Sequence, residues 1–148
     1  MSSEATISSS LTITVGNYRY QSLPGSFAAD VSAAGAAGPT PGSVLASLTG
    51  TTVSLANITN KGGLCRIQNT DLTNFIEVGV YDTSLTEFIP ILELLPGESF
   101  IMRLSRFIGQ HAGAGTGTTG SDVSLVIRVD PTQATGTTAL ALVEAFNK

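Results

Sequence analysis

Apolar and polar residues alternate with period two along most of the chain, and turn-forming residues interrupt the alternation at short intervals. That pattern predicts strands with one face toward a core, and it argues against long helices. Leu11, Ile13 and Val15 alternate with Thr12 and Thr14, and Gly16-Asn17 then supplies a two-residue hairpin turn into Tyr18-Arg19-Tyr20. "SFAADVSA" predicts a third strand. "VLASLTGTTVSLANI" predicts a further hairpin with Gly50 near its turn.

The stretch "LCRIQNTDLTNFIEVGVYD", Leu64 to Asp82, predicts two core strands around a polar turn. Cys65 and Ile67 share one face of the first strand, opposite Arg66 and Gln68. Ile76, Val78 and Val80 point to the core from the second, with Phe75, Glu77 and Tyr81 outward and Glu77 within reach of Arg66. In "EFIPILELLPGESFIMRLS", Pro96-Gly97 suits the centre of a type II turn, and Phe100, Met102 and Leu104 line one face. Val123, Leu125, Ile127 and Val129 line another strand. "TTALALVEAF" is apolar on both faces, which predicts a strand buried on both sides, with a short helix as its competitor. Two segments rich in small residues, Ser32 to Ser43 and Gly109 to Ser121, read as long exposed, flexible loops.

These elements predict an all-β fold: one antiparallel β-sandwich domain over residues 11–148, preceded by a Ser-rich arm at residues 1–10. About eight or nine strands are expected, with jelly-roll and immunoglobulin-like topologies both compatible. The length, 148 residues, suits one domain able to bury a core without disulfides.

Composition narrows the function classes. Charged residues make up only 12% of the chain, against about a quarter in an average soluble domain, and Ser and Thr take their place on the outer faces. The net charge is −4, and the seven Lys and Arg residues are scattered singly. No basic stripe is present to bind nucleic acid or an anionic membrane. The first ten residues lack the basic and apolar regions of a signal peptide, and no apolar run is long enough for a transmembrane helix.

Candidate chemistry is sparse. Asp71, Thr73 and Asn74 offer oxygen ligands, but calcium needs six to eight, and Asp and Asn are default turn formers. Glu93 with Glu98, or Glu77 with Asp82, would be the carboxylate pairs of a hydrolase, with little aromatic surface to hold a sugar. Cys65 and His111 are the only residues of their types and lie far apart in sequence. "GAGTGTTGS" has no lysine and precedes a strand, so it lacks the features of a phosphate loop. No catalytic, cofactor-binding or metal-binding residue is assigned, and the chain is not expected to be an enzyme. An aromatic platform for a glycan would have to come from Phe75, Tyr81 and Tyr20.

"GPTPGSV", "GLCRIQNTDLTNFIEVGVYD", "FIPILELLPGESFIMRLSR" and "LVEAF", in this order, resemble small β-rich structural proteins of tailed bacteriophages, from Gly38 onward. Such a protein is similar in size and character to a capsid cement or decoration protein. The resemblance implies a virion component assembled in the host cytoplasm. Its implied partners are the major capsid protein or other virion proteins, and copies of itself in a symmetric oligomer, with a trimer favoured at three-fold joints. A tail, neck or fibre-base protein is the alternative within that class. A carbohydrate- or host-surface-binding sandwich is the alternative outside it.

Overall fold

The computed structural model describes residues 4–22, 25–30, 40–58, 63–83, 85–105, 108, 123–132 and 134–146. Among these residues the fold is all-β, with no helix. Twelve strands follow in order: β1 (Glu4–Ser9), β2 (Thr12–Val15), β3 (Tyr18–Gln21), β4 (Gly25–Asp30), β5 (Thr40–Ser47), β6 (Thr51–Thr52), β7 (Leu64–Asn69), β8 (Ile76–Asp82), β9 (Glu87–Leu94), β10 (Ser99–Arg103), β11 (Val123–Val129) and β12 (Thr138–Ala145). The count exceeds the eight or nine expected, and one of the unexpected strands is β1, within the Ser-rich segment.

Eight strands form one curved, barrel-like sheet in the order β10-β7-β12-β5-β11-β8-β9, with β6 added against β11. All pairings are antiparallel except β5 with β11, which meet in parallel at the single position Ser47–Arg128. Along the described ladders the two halves of this sheet meet through that narrow seam. The path ends, β9 and β10, do not pair with each other, so closure is incomplete. Pro90 and a bulge opposite Val78 and Gly79 interrupt the β9 edge, which discourages further strand pairing there.

The alternation explains the core. Val44 and Ala46, Cys65 and Ile67, and Ala139, Ala141, Val143 and Ala145 point inward from β5, β7 and β12. Ile76 and Val78, Leu94, and Leu125, Ile127 and Val129 point inward from β8, β9 and β11. Small side chains on β12 thus share one core with larger ones on β11. On β12 only one face is buried; Leu140 on the other is exposed. The two-sided burial expected for this strand is corrected, since its outer face carries no covering layer. Val80, expected in the core, is only half-buried.

Two predicted hairpins are instead crossovers. β7 pairs with β10 and β12, whereas β8 pairs with β9 and β11. The polar turn between them carries the chain from one half of the sheet to the other. Likewise β5 pairs with β12, and β6 with β11, across the turn at Gly50. Gly50 has a φ of 96°, and a Cβ there would lie 2.8 Å from Val126, so only glycine fits. The Pro96-Gly97 turn is as expected: Gly97 has positive φ, and Glu98 N–H donates to the Leu95 carbonyl. Residues 40–43 of the expected first loop belong to β5. The rest of that loop, and the whole of 109–121, lie outside the described residues.

Candidate functional site

The amino-terminal strands form a separate, long hairpin. β1 pairs with β4 from Glu4–Asp30 to Ser9–Gly25, and β2 pairs with β3 from Thr12–Gln21 to Val15–Tyr18. Ser22 N–H donates to the Leu11 carbonyl between the two ladders. At its tip the positive φ falls on Gly16, as the turn requires. The outgoing strand from Glu4 to Val15 spans about 40 Å at the usual rise per residue. Within the expected Ser-rich arm at residues 1–10, Glu4 to Ser9 is a strand paired with β4.

No described ladder joins the hairpin to the eight-stranded sheet. Every residue of β2 and β3 is exposed, so neither face of the tip packs on the domain. Directly opposed residues share a face. The pairs Ile13–Tyr20 and Val15–Tyr18, with Leu11, therefore make one apolar face, and Thr12, Thr14, Arg19 and Gln21 make the other. The five apolar side chains are between 40% and 68% exposed. Near the base, a cleft of about 330 Å³ separates Ile7, Ser8 and Ser9 from Phe100, Ile101 and Leu64.

A second surface lies on the outer face of β8, β9 and β11. Tyr81 stands directly opposite Phe88. The Arg128 guanidinium lies over the Phe88 ring, 4.2 Å from its centre, and its Nε donates to Glu77. The sequence reading missed Phe88, because only cross-strand register brings it beside Tyr81. Of the expected platform residues, Tyr81 is here, half-buried Phe75 lies just before β8, and Tyr20 belongs to the hairpin. The expected Glu77–Arg66 pair is not formed; Arg66 donates to Glu144 at 2.8 Å, its direct neighbour across β7 and β12.

The 71–74 turn is a structural clasp. Asp71 Oδ1 accepts from the backbone N–H groups of Thr73 and Asn74, and these bonds hold its carboxyl below the ordinary value. Asp82 caps the Leu85 N–H and Glu98 caps the Leu95 N–H. Glu93 stands opposite Glu77 in register, and desolvation, then the charges of Asp130, Glu77 and Glu98, push its carboxyl upward. Among the described residues no three His, Cys, Asp or Glu side chains converge on a metal-sized space.

Cys65 is buried, and burial first, then the Glu144 charge, pushes its thiol up to about 12. Such a thiol is a poor nucleophile. His111 and the "GAGTGTTGS" segment lie outside the described residues. Comparison with family models, curated proteins and solved structures finds no match.

Proposed function

We propose that this chain is a structural component of a tailed-phage particle: a cement or decoration protein that binds at joints of the capsid surface and catalyses no reaction. The observation that carries the proposal is the hairpin, an exposed apolar ribbon extended from a well-packed domain. An isolated two-stranded ribbon is marginal in water and gains stability when something covers it. A cement protein works by supplying such area to its neighbours, and it needs no pocket. The sequence resemblance to phage structural proteins points the same way. The partners on this reading are the major capsid protein and further copies of the chain, as a trimer at three-fold joints. Scattered cations leave nucleic acid and membranes without an electrostatic term.

The strand order supports a finer description of the domain. Apart from the β8–β9 hairpin, successive strands from β5 to β12 alternate between the halves β10-β7-β12-β5 and β9-β8-β11-β6, an order that supports a jelly roll. That architecture is common in viral capsid and lectin domains. It does not itself assign a function.

The test is a mass-spectrometric inventory of purified particles. Copies in a fixed high ratio to the major capsid protein support decoration. A handful of copies per particle would move the protein to the tail, neck or fibre base, and absence from particles would end the virion reading. A glycan-binding role has one specific observation in its favour, the Tyr81–Phe88 pair beside Arg128. Phe88→Ala should remove glycan binding if that role is correct and should leave particle attachment intact if it is not.

A further inference from the structure

We infer that the apolar face of the hairpin is the contact between copies of this chain. Leu11, Ile13, Val15, Tyr18 and Tyr20 together expose on the order of 500 Å², the upper range for a patch on a monomer. Two such faces in contact bury about 1,000 Å², the threshold for a specific interface.

Charge favours a second copy over other occupants. The chain carries a net charge of −4, so copies repel at most faces. This face holds no ionised side chain, and Arg19 at the tip belongs to the opposite face. Burial against itself therefore strands no charge. A lipid surface would call for flanking cations. Residues 4–30 contain only Arg19, set against Glu4 and Asp30.

The arrangement of residues is self-complementary. The outgoing strand is aliphatic (Leu11, Ile13, Val15) and the returning strand aromatic (Tyr18, Tyr20). A rotation axis parallel to the hairpin places the aromatic row of one copy against the aliphatic row of the next. Both two-fold and three-fold axes do this, and each closes the assembly. The tyrosine hydroxyls then have a route to the rim, where water completes their hydrogen bonds. The three-fold order rests on the capsid reading above; the contact itself does not.

The experiment is light scattering after size exclusion on the full chain, wild type against Ile13→Ser/Tyr20→Ser, with Thr14→Ser on the opposite face as control. All three positions are exposed, so the domain should fold in each variant, as its circular dichroism and melting curve will show. The expected result is a wild-type trimer, a trimer for the control and a monomer for the double variant. A hairpin-dependent dimer supports the contact while removing the three-fold reading. A monomeric wild type, or a double variant that assembles as wild type does, overturns the inference. Mixing Ile13→Cys chains with Tyr20→Cys chains under mild oxidation gives a second readout. An interchain disulfide between unlike chains is expected, and its absence in an assembled sample overturns the proposed facing of the two rows.

Discussion

The side-chain amide of Asn69 donates to the backbone carbonyl of Asn74 at 2.8 Å, and both residues are buried. Asn69 also donates to the Leu94 carbonyl and accepts from Asp71 N–H. Asn74 donates to the Thr138 carbonyl and accepts from the N–H groups of Thr135 and Gly136. Two amides thus join the ends of β7, β9 and β12. The chain leaves one half of the sheet here, so no ladder is present to satisfy these backbone groups, and the asparagines do so instead. Asn74→Ala would remove the part-buried bonds to the Thr135 and Gly136 N–H groups and the Thr138 carbonyl and should cost about 1–3 kcal/mol. Thr73→Ala, at an exposed position, should cost under about 1 kcal/mol. Urea titration of both variants checks the contrast; equal costs would remove the clasp.

The core prediction follows from faces. Ile127 is 0% exposed and Val78 1%. Ile127→Asp and Val78→Asp each bury a carboxylate among aliphatic side chains with no cation opposite, and each should abolish folding. Circular dichroism and solubility report the result. A cooperative wild-type-like melt for Ile127→Asp would mean that the inward face is assigned backwards.

Cys65 allows a simple probe of that same core. With its thiol pushed up to about 12 by burial, the native protein should react negligibly with a disulfide reagent at pH 8. In denaturing urea one thiol per chain should react at once. Rapid modification of the native protein would place Cys65 at the surface.

Much of the fold was legible in the sequence because half-buried strands announce their faces. Ile76 and Val78, and Leu125, Ile127 and Val129, are inward as their spacing predicts. Partner choice was not legible. Leu64–Asn69 and Ile76–Asp82 look like a hairpin because only a short turn separates them, yet each pairs elsewhere. Turn length sets register only when the two strands stay in one ladder, and a corner between halves leaves the same sequence signature. The candidate site was half legible. The Gly16 turn and its flanking alternation gave the hairpin tip. Glu4–Ser9 was missed as a strand because Ser and Ala carry little strand signal, so the strand predicted at "SFAADVSA" was left without the partner that continues the hairpin. Burial, not pattern, distinguishes the exposed Ile13 from the inward Ile127.

Two carboxylates give stability opposite pH dependences. The folded-state value of Asp71 is lowered by the N–H groups it accepts from, so its contribution is present above the unfolded value and is lost as pH falls through the folded one. The folded-state value of Glu93 is raised, so its contribution is present below the unfolded value and is lost as pH rises through the folded one. Asp71→Asn should therefore flatten the fall in melting temperature below about pH 4, the ordinary Asp range. Glu93→Gln should raise the melting temperature slightly at pH 7 and change it least at low pH. Melting curves between pH 2 and 8 test both. A Glu93→Gln penalty at neutral pH would mean that the ionised carboxylate is stabilising.

The hairpin and the eight-stranded sheet are energetically separable. Among the residues whose burial is described, the apolar core holds none before Val44, and no described ladder crosses from β1 or β4 to the sheet. Among the described residues, Ile7, Phe100 and Leu64 line the cleft that hairpin and sheet share. Deleting residues 1–30 should therefore leave a cooperatively folded domain whose melting temperature changes by no more than about 4 °C, the shift that about 1 kcal/mol produces at this size. The same deletion removes the surface proposed to hold copies together, and with it the multivalency that strengthens attachment to a symmetric particle. Co-sedimentation with undecorated capsids should show strong binding by the full chain and little by the truncation. The double variant Ile13→Ser/Tyr20→Ser should lie between them, since its hairpin remains but its copies separate. Equal binding by the truncation would assign attachment to the sheet itself, through its outer faces and the exposed strand β10. Loss of the cooperative melt on truncation would mean that the hairpin supports the domain and is no separate arm.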